Sequence, residues 1–176
     1  MTGTVAFGGV PTPLGRVLVA VTEEGLAATG FHDGAGPRER IAERLGLARA
    51  DDPGRTAQAR TEMAAYFAGE LKVFEVAVDW RLMSKIQRAV LGTLHERVPY
   101  GKAVTYGELA ALSGTGVPAR AIGSIMGANP VPIVVPCHRV VAGNGLGGFS
   151  GGEGVESKRW LLTLEGYLQP MLDWDV

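Results

Sequence analysis

The sequence has one cysteine, Cys137, in 176 residues. No intramolecular disulfide can form, and a cysteine-based metal cluster is excluded. A lone thiol suits a reducing compartment. No apolar run approaches the roughly 20 residues that a membrane span needs. The chain does not open on a basic stretch followed by an apolar one, so no secretory signal is expected. A cytoplasmic protein without membrane contact, metal or cofactor is the expectation. Net charge is also small, at −1. What is present is ordinary: 46% hydrophobic and 20% charged residues. That composition excludes a disordered chain, and the length suits one compact domain or two small lobes.

The near-zero charge hides a split. Residues 1–80 carry 8 basic and 11 acidic residues, and residues 81–176 carry 9 and 7. A polyanion would therefore meet the C-terminal half, more so if the acidic tail (Asp173, Asp175) is set aside.

Residues 1–80 read as a scaffold domain. Val17 to Val21 is β-rich, Thr22 to Gly25 a hairpin connection, and Leu26 to Phe31 a returning strand. Helical spacing runs over 37–48 and 56–68, with Ala59, Met63, Tyr66 and Phe67 on one face. Val73 to Asp79 is a further strand candidate. His32 and Asp33 beside Gly34 read as turn residues. After a boundary at 80–84, Ser84 with Gln87 and Thr105 with Glu108 are capping boxes that each open a helix. Pro118 suits the first position of a third helix carrying Ala121, Ile122, Ile125 and Met126, and Asn129-Pro130 ends it. Two short helices across a Gly-containing turn form a helix-turn-helix pattern.

The chemistry concentrates in Val131 to Val141. This apolar, β-branched run delivers Cys137 with His138 directly after it, and Pro132 and Pro136 stiffen the backbone. A free thiol has a pKa of about 8.5; a nearby imidazole or helix N-terminus lowers it and creates a soft nucleophile. Adjacency alone decides nothing, because neighbours on a strand point to opposite faces and a lone cysteine is commonly a buried, inert one.

Pro136-Cys137-His138-Arg139-Val140 resembles the active-site signature of the O6-alkylguanine-DNA alkyltransferases, the methylated-DNA–protein-cysteine methyltransferases. It is accompanied, in order and spacing, by Pro99-Tyr100-Gly101-Lys102, Thr105 to Ala110, Ala119 to Gly123, Asn129-Pro130, Lys158 to Leu162 and Glu165-Gly166. The resemblance covers about residues 84–167. It implies an α+β protein: an N-terminal RNase H-like lobe with a small antiparallel sheet (1–80), and a mostly helical, winged helix-turn-helix-like lobe for DNA binding and catalysis (84–170). It further implies a monomer acting on alkylated double-stranded DNA through the minor groove, with flipping of the damaged guanine, and O4-alkylthymine as a second lesion.

The residue roles also follow from the resemblance. Cys137, ionised at the cavity mouth, would take the alkyl carbon. His138 would deprotonate it through a water, and Glu165 would orient the imidazole. Tyr106 would donate to the leaving guanine, and Asn129 would brace the turn. The carbonyls of Cys137 and Val140 would accept from the exocyclic amine, and the Ser150 amide would face O6. Met126 and Phe149 would line the pocket, and Lys158 would order the loop over it. Arg120 would fill the hole left by the flipped nucleotide, with Ala119, Ala121 and Gly123 allowing close approach to DNA. One turnover per molecule is expected, since a thioether is not exchanged as a disulfide is.

Between Cys137 and Lys158 the sequence departs from the family pattern. The stretch to Ser150 is one residue short, Phe149 stands where tyrosine is common, and the glycine-rich remainder is longer, which suggests a mobile loop and a wide substrate range. Two other functions compete. A cysteine hydrolase lacks any local signature. A lesion-binding protein without catalysis would carry tryptophan in place of Cys137. Gly143-x-Gly145-x-x-Gly148 matches a dinucleotide fingerprint but no βαβ unit surrounds it.

Overall fold

The computed structural model describes residues 3–170. Three strands open it: β1 (Thr4–Thr12), β2 (Gly15–Thr22) and β3 (Leu26–Gly30), joined as antiparallel neighbours. Helix α1 (Ala35–Leu45) leads to β4 (Ala48–Ala50), which adds to β1 in parallel. The sheet order is β3-β2-β1-β4. Helix α2 (Pro53–Phe67) starts on an Asp52 cap with proline at its head, and crosses the β1–β2 face.

Three segments differ from the sequence expectation. The helix expected over 37–48 ends at Leu45, where Gly46 caps it in the left-handed region, and Ala48 already begins β4. β1 has no strand signature because Gly8-Gly9 and Pro11 read as breakers. The glycines are instead crossing points: a Cβ at Gly8 would meet the Arg60 side chain of α2, and one at Gly9 the Arg16–Asp33 pair. Val73 to Asp79, expected as a strand, forms only a single bridge between Val78 and Leu26. Two of its other backbone N–H groups, those of Glu75 and Val76, donate instead to Glu62 Oε1 at 2.9 and 3.1 Å.

Both capping boxes form, opening α3 (Lys85–Arg97) at Ser84 and α4 (Tyr106–Ser113) at Thr105. Gly114 closes α4 in the left-handed region, and α5 (Ala119–Gly127) follows. Pro118 is the cap of α5 rather than its first residue. After a tight turn at Cys137–Arg139 come β6 (Val140–Val141) and α6 (Val155–Leu164). β6 pairs in parallel with β5 (Val104–Thr105), which fixes the start of α4 beside the cysteine segment.

One apolar core runs through both halves. Val17 and Val19 of β2, Met63 and Tyr66 of α2, Leu91 of α3, Ile122 of α5, Val135 and Leu161 of α6 belong to one buried cluster. β3 also holds the cysteine segment directly: Thr29 N–H donates to Pro130 O at 3.0 Å and its hydroxyl to Pro132 O at 2.7 Å. Between these carbonyls and Cys137, Ile133 sits at φ 77°, a conformation that β-branched residues avoid and that costs roughly 1–3 kcal/mol. No helix among the described residues is long and apolar enough to cross a membrane.

Candidate active site

Cys137 and His138 lie in a one-turn 3-10 helix, so the strand rule that sends neighbours to opposite faces does not apply to them. Cys137 is 6% exposed and lines a cavity of about 430 Å³. Its other walls are Tyr106, Gly123, Met126, Gly127, Gly148, Phe149 and Ser150. That volume suits a small organic group, in the usual range of about 300–1,000 Å³.

His138 and Glu165 sit behind the cysteine, with His138 Nε2 2.7 Å from Glu165 Oε2. Arg139 grips the same carboxylate through Nε to Oε1 (2.8 Å) and Nη2 to Oε2 (3.0 Å), and donates Nη1 to Val98 O at 2.9 Å. The other ring nitrogen, His138 Nδ1, is the one buried polar side-chain atom among the described residues without a hydrogen-bond partner. Asn129 spans the turn before the cysteine: its Nδ2 donates to Val135 O, and its Oδ1 accepts from Val131 N–H, both at 2.9 Å.

Lys158, which reads as a surface lysine, is 1% exposed. Its Nζ donates to Val140 O at 2.7 Å and Gly148 O at 3.0 Å, tying the glycine-rich loop to the segment after the cysteine. Val140 O keeps a second lone pair for another donor.

Electrostatically, burial pushes the Cys137 thiol up, opposed by the Asn129 side chain and the Lys158 charge. The resting sulfur is therefore a thiol, not the ionised group expected from sequence, because desolvation outweighs its neighbours. Burial pushes His138 down against the pull of Glu165, leaving a neutral imidazole. Burial alone would raise the Glu165 carboxyl, but His138 and Arg139 outweigh it and hold it at about 2. Burial lowers Lys158 to about 8. No group of three or more metal-ligating side chains occurs among the described residues.

On the surface of α5, Ala119, Arg120 and Gly123 form a shallow depression with Tyr106, next to the cavity. Arg120 is exposed, and a Cβ at Gly123 would meet nothing, so internal packing is not what demands a small residue there. Ala121 is half-buried and lines neither depression nor cavity.

Residues 5–80 match the ribonuclease-like domain of 6-O-methylguanine DNA methyltransferase, and residues 85–167 match its DNA-binding domain. A methylated-DNA–protein-cysteine methyltransferase of Methanosarcina acetivorans is 38% identical over 156 residues, 88% of this chain and 94% of that protein. The chain belongs to the methylated-DNA–protein-cysteine methyltransferase family. Its fold also matches the Mycobacterium tuberculosis O6-methylguanine methyltransferase, with TM-score 0.76 and 33% identity over 96% of this chain and 97% of that one. A structure of the M. tuberculosis protein in complex with DNA matches at TM-score 0.76 and 34% identity, over 92% of each chain.

Within this methyltransferase chain, several glycines of the loop after the cysteine are packing positions. A Cβ on Gly147, whose φ is 75°, would lie 2.5 Å from the Tyr106 hydroxyl oxygen. One on Gly151 would overlap the Phe31 ring, which meets Phe149 edge-on at 5.9 Å. Close approach thus explains these glycines without invoking mobility. Gly147→Ala is expected to lower stability by roughly 1–3 kcal/mol and to displace the Tyr106 ring. Gly143→Ala, where a Cβ meets nothing, should leave the thermal midpoint near wild type. Equal midpoints for the two variants would show that the Tyr106 contact is not tight.

Sequence reasoning missed Tyr66, whose hydroxyl donates to Glu165 Oε2 at 2.5 Å. The available signal was its place on the buried stripe of α2, since a buried tyrosine hydroxyl usually finds a partner. Arg139 belongs to the Pro136–Val140 signature, but nothing local in the sequence shows that its guanidinium will hold Glu165.

Proposed function

We propose that this protein repairs O6-alkylguanine in DNA by moving the alkyl group irreversibly onto Cys137, with residues 84–170 carrying DNA binding and chemistry. The observation that carries this reading is the cysteine at the floor of a base-sized cavity, backed by a buried His138–Glu165 pair. DNA is the partner of the family to which residues 85–167 belong.

In the proposed reaction the sulfur attacks the alkyl carbon, forming an S–C bond as the C–O6 bond breaks. The thiol proton passes through water to His138 Nδ1, and the Nε2–H···Glu165 contact stabilises the resulting imidazolium. Tyr106, at the cavity wall, supplies a proton to the departing guanine ring and is reprotonated from solvent. The Cys137 and Val140 carbonyls and the Ser150 amide read the base edge. Asn129 holds the segment, Lys158 holds the loop, and Met126 and Phe149 give apolar walls. The target carbon is inaccessible inside a stacked duplex, so the nucleotide must leave the helix. Arg120 takes its place, with α5 in the minor groove and Ala119 and Gly123 at the contact, in a monomer.

The test is intact-mass analysis after incubation with an O6-methylguanine duplex or with free O6-methylguanine. Wild type should gain one methyl on Cys137 in both cases and then stop. A cysteine hydrolase would finish unmodified, and a pure binder would never be modified. Arg120→Ala should slow the duplex reaction by about tenfold or more, the loss of one helix-stabilising contact of roughly 1.4 kcal/mol. Its reaction with the free base should be unchanged; equal slowing on both would refute the extrahelical role.

A further inference from the structure

We infer that Tyr66, on α2 and outside the C-terminal region that carries the cysteine, is a positioning residue for alkyl transfer: its phenol, seated on Glu165 Oε2, sets the charge and rotamer that Glu165 presents to His138. This rests on the alkyl-transfer reading above and goes beyond it, because it gives the N-terminal half a part in the reaction.

The geometry is asymmetric. Among the described residues, Glu165 Oε1 accepts only from Arg139 Nε, at 2.8 Å. Oε2 accepts from three groups: the Tyr66 hydroxyl at 2.5 Å, His138 Nε2 at 2.7 Å and Arg139 Nη2 at 3.0 Å. Tyr66 is 0% exposed, so its hydroxyl has no bulk water as an alternative partner. Burial and the Glu165 charge both push the phenol's ionisation well up, so it remains a donor at any working pH. The short distance is that of a charge-assisted O–H···O⁻ bond, among the stronger kinds.

A phenol and an imidazole thus share one carboxylate oxygen. Each donor draws negative charge from Oε2, so what the phenol takes is not available to the imidazolium. Removing the phenol hydroxyl leaves more charge facing Nε2–H and raises the pH at which His138 titrates. A more acidic phenol would take more charge and lower it. The packing around Tyr66 shows why the hydroxyl is held so firmly. Its ring meets Phe67 edge-on at 5.4 Å, Phe74 at 5.3 Å and Tyr100 edge-on at 6.3 Å. Among the described residues, the other titratable or charged groups facing the pair are Arg139 from the 3-10 turn, Lys158 from α6 and Tyr100 from the loop after α3, with Cys137 next to His138 in the same turn. None of them changes in a Tyr66→Phe protein.

The experiment measures the single-turnover rate of Cys137 methylation at saturating O6-methylguanine duplex across pH. It compares wild type, Tyr66→Phe, a fluorinated tyrosine placed site-specifically at 66, and Phe67→Leu. In Tyr66→Phe the midpoint of the acid limb should move to higher pH by about half a unit or more. The fluorinated residue, equal in shape and a stronger donor, should move it lower. Phe67→Leu should lower the thermal midpoint and leave the limb where it is. An acid limb that superposes on wild type in Tyr66→Phe, moves the same way in both position-66 variants, or follows loss of stability in Phe67→Leu overturns the inference. Should the phenylalanine variant not fold, the fluorinated protein decides alone by the direction of its shift. A wild-type protein that gains no methyl refutes the alkyl-transfer reading itself, a result distinct from an unmoved limb.

Discussion

Cys137→Ser should abolish transfer altogether while leaving duplex binding in place. The reason lies in the proton balance behind the nucleophile. The ordinary values of a thiol and an imidazole, about 8.5 and about 6.5, make proton transfer from sulfur to ring unfavourable by roughly 3 kcal/mol at 1.36 kcal/mol per unit. Burial widens that gap from both sides. Three features narrow it again: the Asn129 amide and Lys158 charge at the sulfur, and the Glu165 carboxylate at the ring. In the proposed reaction the nucleophile is therefore made as attack proceeds rather than stored as a thiolate, and the network is matched to a thiol. A serine hydroxyl is far harder to deprotonate, and a neutral imidazole already pushed down by burial is too weak a base for it. Nothing on α5 changes, so the DNA binding proposed for Arg120 should persist. The check is intact mass alongside an electrophoretic shift with alkylated duplex. Stoichiometric methylation of the serine protein, over the time in which wild type is consumed, would refute Cys137 as the acceptor.

What sequence could reveal divides by distance along the chain. The capping boxes at Ser84–Gln87 and Thr105–Glu108 are legible because they are contacts over three residues, governed by local geometry. The Pro136–Val140 signature is legible because five adjacent residues carry it. β1 is hidden because the glycines that let Arg60 and Arg16 cross it look like breakers. Val73 to Asp79 misleads in the other direction: its apolar alternation suits a strand, but the only pairing it finds is Val78 with Leu26. Lys158 reads as a solvated residue because nothing local shows that the Val140 and Gly148 carbonyls will meet its ammonium. The thiol's resting state is illegible for the same reason, since desolvation depends on what the fold stacks over Cys137. Tyr66 and Glu165 stand 99 positions apart, and only the shared core of the two halves brings them together.

Glu165→Gln should be the most destabilising single change that preserves shape at the site. The carboxylate is 5% exposed and is the counter-charge for Arg139, which is 7% exposed. Neutralising it leaves a buried guanidinium without an opposite charge, a defect of about 3–5 kcal/mol. The pH dependence of the wild type carries the same information. Its carboxyl is held at about 2, against an ordinary value of 4.5. A depressed folded-state value means that the stabilisation is fully present above pH 4.5 and is lost as pH falls towards 2. Over that window the contribution is on the order of 3 kcal/mol. The glutamine protein should lack this dependence: its unfolding free energy should be lower at neutral pH and should converge on wild type as acid protonates Glu165. Alkyl transfer should fall by roughly 10²–10⁴, because an imidazolium without its carboxylate loses what makes His138 a useful base in a dry site. Urea unfolding between pH 2.5 and 7, with single-turnover rates at neutral pH, measures both effects. A glutamine protein as stable as wild type at pH 7 would mean that Arg139 is not held by this carboxylate. A stable one that transfers at wild-type rate would mean that His138 works without it.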